Sequence, residues 1–165
     1  MTNQSPTPAP RHRVLFVCLG NICRSPAAEG IMRRIVEEND DQANWEIDSA
    51  GIGAWHTGQL PDQRMRVHAR RRGLDLTHRA RQVKPEDFDR FDLIIGMDSG
   101  NIADLRELAR TPGDLKKIHP MSEWMGGVAT RYDHIPDPYY EGAEGFELVL
   151  DLLQDALQNL YAELR

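Results

Sequence analysis

The segment VLFVCLGNICRSPAAEG, residues 14–30, brings Cys18, Arg24 and Ser25 into one short loop. An apolar run ends at the cysteine, Gly20 and Asn21 follow, and Arg-Ser-Pro opens a helix. A helix N-terminus presents unpaired N–H groups and positive potential, so a tight loop feeding into one is an anion cradle. Gly20 and Asn21 tolerate the unusual backbone angles such a loop needs. Arg24 adds a guanidinium fork that matches two oxygens of a phosphate. The same positive surroundings favour thiolate over thiol. Cys18 is therefore expected to be a nucleophile facing the phosphorus of a bound ester, with Ser25 donating its hydroxyl to the sulfur. The bland alternative is a buried small hydrophobe followed by an ordinary Ser-Pro helix start. Strand, spacing, serine and helix start together favour the site.

The elements that position this loop follow from periodicity. Residues 14–18 form a continuous apolar run suited to a strand covered on both faces. Ser25 reads as an N-cap and Pro26 as the first helical residue, with Ala27, Ile31, Ile35 and Val36 on one face of a helix reaching about residue 38. Residues 45–50 read as a second strand, 51–61 as a Gly-rich loop, and 62–72 as a strongly basic helix ended by Gly73. A helical turn is expected over 84–88, a strand over 91–97, a helix over 99–109 and a short strand over 115–119. Residues 146–164 carry the apolar side of a long amphipathic helix. Trp124, Met125 and the glycines after them read as an exposed loop. Strands alternating with helices imply an α/β class with a parallel sheet, in which ligands bind beyond the carboxyl ends of the strands. Cys18 lies at such an end.

The chain of 165 residues fits one domain. Residues 1–11 read as a polar, Pro-rich tail expected to be disordered, and 12–165 as the domain. With 20 basic against 26 acidic residues the net charge is −6, which disfavours nucleic acid as the main partner. No segment approaches the roughly 20 apolar residues of a membrane span, and 14–19 is a poor signal-peptide core. A cytoplasmic protein is expected. The two cysteines, Cys18 and Cys23, are too few for a disulfide framework. The run Arg64, Arg66, Arg70, Arg71 and Arg72 reads as a solvated helix face. His12, His56, His68, His119 and His134 show no metal-ligand spacing.

At the loop residues the sequence resembles the low-molecular-weight protein tyrosine phosphatases. VCLGNICRSP matches their nucleophile loop, and DPYY, residues 137–140, lies downstream where that family keeps its general acid. DSAG (48–51), HRARQ (78–82) and MDSGN (97–101) extend the similarity over about residues 13–165. The resemblance implies a single three-layer domain, a mostly four-stranded parallel sheet flanked by helices and doubly wound in the flavodoxin-like manner. It implies that Cys18 forms a cysteinyl phosphate, that Arg24 and the loop residues Cys18, Leu19, Gly20, Asn21, Ile22, Cys23, Arg24 and Ser25 bind the phosphoryl group, and that Asp137 protonates the leaving phenolate and then activates water. Pro136 and Pro138 restrict the Asp137 loop.

Asn21, Ser25, Ser49 and His78 resemble the residues that support the loop, and Ile22, Trp55, Tyr139 and Tyr140 those lining the pocket. Ile22 favours phosphotyrosine, because related protein-arginine phosphatases carry Thr there. Cys23 resembles a second loop cysteine that captures oxidised Cys18 as a disulfide. No metal and no cofactor are implied. The expected partners are phosphotyrosine-containing proteins and a tyrosine kinase, and the expected assembly is a monomer or weak homodimer. A thioredoxin-coupled arsenate reductase shares this loop type but relays a disulfide to downstream cysteines, and no cysteine follows Cys23. A flavodoxin-type binding module would need the anion loop but neither Cys18 nor Asp137.

Overall fold

In the computed structural model, residues 8–126 and 132–165 are described. Of the expected tail, residues 1–7 lie outside this set, 8–10 have no regular structure, and the first strand, β1 (His12–Cys18), starts at the next residue but one. The other strands are β2 (Trp45–Gly51), β3 (Leu93–Gly96) and β4 (Ile118–Pro120), in the order β2-β1-β3-β4 with every pair parallel. The helices are α1 (Arg24–Glu38), α2 (Gln63–Arg71), α3 (Asp87–Arg90), α4 (Ser99–Leu108), α5 (Pro112–Lys116) and α6 (Ala143–Leu164).

Alternation along β1 builds two cores. Val14, Phe16 and Cys18 face the larger one, shared with α1, α2 and α6. Leu15 and Val17 face the other, with Phe88, Phe91, Ile94 and Leu105. Both faces of the sheet are therefore covered, which gives the three layers and explains why β1 has no polar residue after Arg13. On α6, Phe146, Val149, Leu150, Leu153, Leu157 and Leu160 are buried. Asp62 caps α2 by accepting from the Arg64 N–H, and Gly73, with φ of 81°, follows its end. Among the described residues no helix is long and apolar enough to cross a membrane.

Several expectations need correction. The strand expected over 115–119 begins only at Ile118, because Leu115 belongs to α5. Thr111 caps that helix by accepting from the Asp114 N–H, and Pro112 occupies its first turn, a start signal that outweighs the local apolar pattern. The basic run on α2 is not simply solvated: Arg72 pairs with Glu147 and Asp151 of α6, and buried His68 meets Glu147 and stacks on Phe146. Trp124 closes a 3₁₀ turn (Met121–Trp124) and is 9% exposed, in the larger core. Its indole N–H donates to Glu163, and its carbonyl accepts from Asn159 at 2.7 Å. Trp124→Ala should therefore lower stability by about 3 kcal/mol, as for other buried tryptophans. Urea denaturation checks this, and a loss within about 0.5 kcal/mol would return the residue to an exposed loop.

Candidate active site

The sheet order reverses between β1 and β3, and the site lies beyond the carboxyl ends of these two strands. Residues 19–23 leave β1 and enter α1 at Arg24. The carbonyls of this loop point outward: Cys18 accepts from Ile52 N–H, Leu19 from Gly53, Ile22 from Asp62 and Cys23 from Ala27, at 2.7–3.2 Å. The backbone N–H groups of residues 19–24 donate to no described residue, whereas that of Ser25 points at Cys18 Sγ at 3.5 Å. Gly51 lies so close beneath the loop that a Cβ there would stand 2.9 Å from the Gly20 carbonyl carbon and 3.0 Å from Asn21 N. Only glycine fits at that strand end.

Asn21 has φ of 58°, the left-handed conformation that asparagine accepts more readily than most residues. Its amide donates to Ser25 Oγ at 2.7 Å and to Ser49 Oγ at 3.0 Å. Its carbonyl accepts from the Arg81 N–H and faces His78 Nε2, both at 3.0 Å. Since a backbone N–H can only donate, the Arg81 contact fixes which end of the amide is oxygen. Behind this residue, Ser49 donates to Glu29 at 2.7 Å and His78 Nδ1 lies 3.1 Å from the same carboxylate. Ligand atoms of Glu29, Asp48 and His78 fall within 4.8 Å of one another, and their neighbours Ser49, Arg81 and Asn21 make the group a supporting network for the loop.

Ser25 is not the N-cap that the sequence suggests. Helix α1 already includes Arg24, its N-cap position is Cys23, and no side chain caps it. Ser25 is instead fully buried in the first turn, with its hydroxyl 3.0 Å from Cys18 Sγ. Arg24 is 2% exposed and gives Nη1 to Asp98 at 2.6 Å and to the Ile135 carbonyl at 3.0 Å. Its Nη2 lies 3.6 Å from Asp137 Oδ2. Burial opposes the Arg24 charge, but Cys18 and the Asp98 hydrogen bond outweigh it and hold the guanidinium above its ordinary value. For Asp98, burial pushes the carboxyl up, and the bonds from Arg24 and the Asn101 N–H outweigh that and hold it below the ordinary range. The Cys23 thiol is pushed far up by burial, with Asp62, Cys18 and Asp137 adding to the shift, so it keeps its proton at neutral pH.

These residues enclose a cleft of about 220 Å³ with Cys18, Cys23 and Arg24 at one end and Trp55, Tyr139, Tyr140 and Asp137 around the opening. Leu19, Gly20 and Ile22 also line it. Trp55 is 69% and Tyr140 93% exposed, so the aromatic wall is a rim. Asp137 Oδ1 accepts from the Tyr139 N–H at 3.1 Å, a local turn set up by the Asp-Pro pair. The expected loop, support and pocket residues are thus brought together. His56, Glu29, Asp98 and Arg81 were not anticipated. Arg81 and Asp98 carried a signal, as members of the HRARQ and MDSGN stretches, and Asp98 also precedes a helix start, but none of this reveals that its partner lies 74 positions away.

Residues 13–165 match the family described as low molecular weight phosphotyrosine protein phosphatase. The chain belongs to this family. It is 41% identical over 154 residues to a low molecular weight protein-tyrosine-phosphatase of Streptomyces coelicolor, covering 93% of this chain and 94% of the relative. The crystal structure of a protein tyrosine phosphatase from Entamoeba histolytica, with Hepes in its active site, superposes with a TM-score of 0.88 at 39% identity, covering 93% and 96% of the two chains. A Drosophila arginine phosphatase superposes with a TM-score of 0.84 at 33% identity, covering 91% and 96%. The doubly wound phosphatase fold is shared throughout.

The Arg24–Asp98 pair gives a pH test. A carboxyl held below its ordinary range contributes stability that is present above the unfolded value of about 3.9 and is lost as pH falls through the folded value. Asp98→Asn should therefore be less stable than the parent at pH 7, with the gap narrowing at pH 3. Urea midpoints at the two values decide, and a gap of equal size at both would remove charge from the account.

Proposed function

We propose that this protein hydrolyses phosphotyrosine in proteins through a cysteinyl-phosphate intermediate. The observation that carries the reading is the Cys18 sulfur at the base of the cleft, beside Ser25 and buried Arg24, with Asp137 across the opening. The unpaired loop amides and the Arg24 edge bind the three phosphoryl oxygens and stabilise the charge that builds on them. Cys18 attacks phosphorus as the thiolate, to which Ser25 donates, while protonated Asp137 gives its proton to the departing phenolate. Water then attacks the phosphocysteine and Asp137 takes its proton, restoring the thiolate and releasing inorganic phosphate. One carboxyl serves as acid and then base because the two half-reactions need opposite protonation states. Charge on the phosphoryl group is met by Arg24, the amides and the start of α1, so the scheme calls for no metal.

The aromatic rim and the Ile22 side chain suit a flat phenyl ring better than a guanidinium. Phenyl phosphate hydrolysis should resist chelator, vanish in Cys18→Ser, and fall about 10²- to 10³-fold in Asp137→Ala. A phosphotyrosine peptide should be cleaved well ahead of phosphoarginine. Turnover surviving in folded Cys18→Ser would overturn the covalent scheme, and preference for phosphoarginine would overturn the substrate class.

Cys23, held as a thiol beside the nucleophile, suits a protective role. Peroxide converts the Cys18 thiolate to a sulfenic acid, and attack by Cys23 sulfur forms the Cys18–Cys23 disulfide and releases water. Mass spectrometry after mild peroxide should find that disulfide and recover activity with thiol reductant. Sulfinic Cys18 alone would rule the role out.

A further inference from the structure

Asp137 sits on an irregular segment between Ile135, whose N–H donates to the Met97 carbonyl at 2.9 Å, and the start of α6. Its side chain is 41% exposed, so packing alone does not fix it. Among the described residues, Arg64 gives the only side-chain hydrogen bond that reaches this stretch from outside residues 136–142, through Nη2 to the Tyr139 carbonyl at 2.9 Å. The N–H of the same Tyr139 orients Asp137 Oδ1. We propose that Arg64 is a positioning residue for the Asp137 carboxyl, acting through Tyr139, a role that rests on the general-acid reading above.

Arg64 is itself fixed to the phosphate-binding side. Asp62 donates its backbone N–H to the Ile22 carbonyl at 2.7 Å. The Asp62 carboxylate takes Arg64 Nε at 3.1 Å and Nη2 at 3.0 Å. The guanidinium lies 4.9 Å from the Phe146 ring centroid and 5.5 Å from that of Tyr139. One planar cation thus forks a carboxylate, stacks on two rings and still supplies a donor to the Tyr139 carbonyl, a combination that the point charge of lysine does not reproduce. The path from Ile22 through Asp62 and Arg64 to Tyr139 sets the distance between nucleophile loop and acid.

The consequence is specific to proton transfer. An ester with a poor leaving group needs Asp137 in place, whereas p-nitrophenolate departs with little help. In Arg64→Lys and Arg64→Met, kcat/KM for phenyl phosphate should fall about tenfold and that for p-nitrophenyl phosphate less than twofold, since small misplacements of a catalytic group are costly only where that group acts. Competitive inhibition by inorganic phosphate should stay unchanged, because the Cys18 loop and Arg24 are untouched. Equal losses on both esters, no loss on either, or weakened phosphate inhibition would overturn the role. Asp137→Ala is run alongside: if it fails to discriminate between the two esters, the general-acid reading itself falls and takes this proposal with it. If Asp137→Ala discriminates and the Arg64 variants do not, only the positioning role is lost.

Discussion

The backbone N–H groups of residues 19–24 donate to no described residue, so the loop that carries Cys18 must be held by something other than its own hydrogen bonds. Buried amides left unpaired are costly, and a chain keeps them so only where its surroundings over-determine the conformation. Here the surroundings act from two sides. The loop carbonyls are taken by Ile52, Gly53, Asp62 and Ala27, and the centre of the loop is gripped by the four contacts of Asn21. Asn21 suits both tasks, since it tolerates positive φ and offers donors and an acceptor on one short side chain. Ser49, His78 and Glu29 are a scaffold for that one residue. Gly51 fits the same constraint, because the scaffold can approach only where the strand has no side chain.

The electrostatics follow from burial of Arg24. A chain with net charge −6 places a guanidinium almost out of water and holds it there with Asp98 and the Ile135 carbonyl, both on Nη1. A buried cation left without partners would be strongly destabilising, so Asp98 is the permanent counter-charge. The Nη2 edge, facing Asp137 at 3.6 Å, is the weaker contact and the one a phosphoryl group can take over. On the proposed mechanism, arrival of the substrate then releases Asp137 from Arg24 to meet the leaving oxygen.

Much of this was legible from local pattern. The apolar run of β1, the glycine after α2 and the periodicity of α6 each encode their element within a few residues, and the loop letters with DPYY pointed to the two halves of the site. Misreadings arose where two signals overlap. Ser-Pro marks a helix start equally well whether serine caps the helix or lies within its first turn, and only the position of Cys18 Sγ decides. Leu115 and Ile118 look alike as apolar residues, yet Thr111-Pro112 had already committed the first to α5. Trp124 beside glycines reads as a loop until α6 supplies Asn159 and Glu163, 35 and 39 positions on. Asp98, Glu29 and Arg64 were beyond reach for a different cause: each acts through a partner far away in the chain, and charge alone does not name that partner.

On the proposed mechanism, the two ends of the cleft differ in burial in the way the two half-reactions require. Asn21, Ser25 and Ser49 are fully enclosed and Arg24 nearly so, which on that mechanism holds the phosphoryl group in place and strengthens every hydrogen bond to it. Asp137 and Tyr140 stand open to solvent. If the acid were as deeply set as the nucleophile, the leaving phenol could still take its proton, but water could not enter to be activated afterwards. An exposed acid cannot rely on close packing for its position, however, and the short Pro-flanked segment offers few bonds of its own. It must be held by a group that reaches across the solvent side without closing it. A long, planar, permanently charged side chain anchored on a neighbouring helix meets that requirement, which is where Arg64 lies.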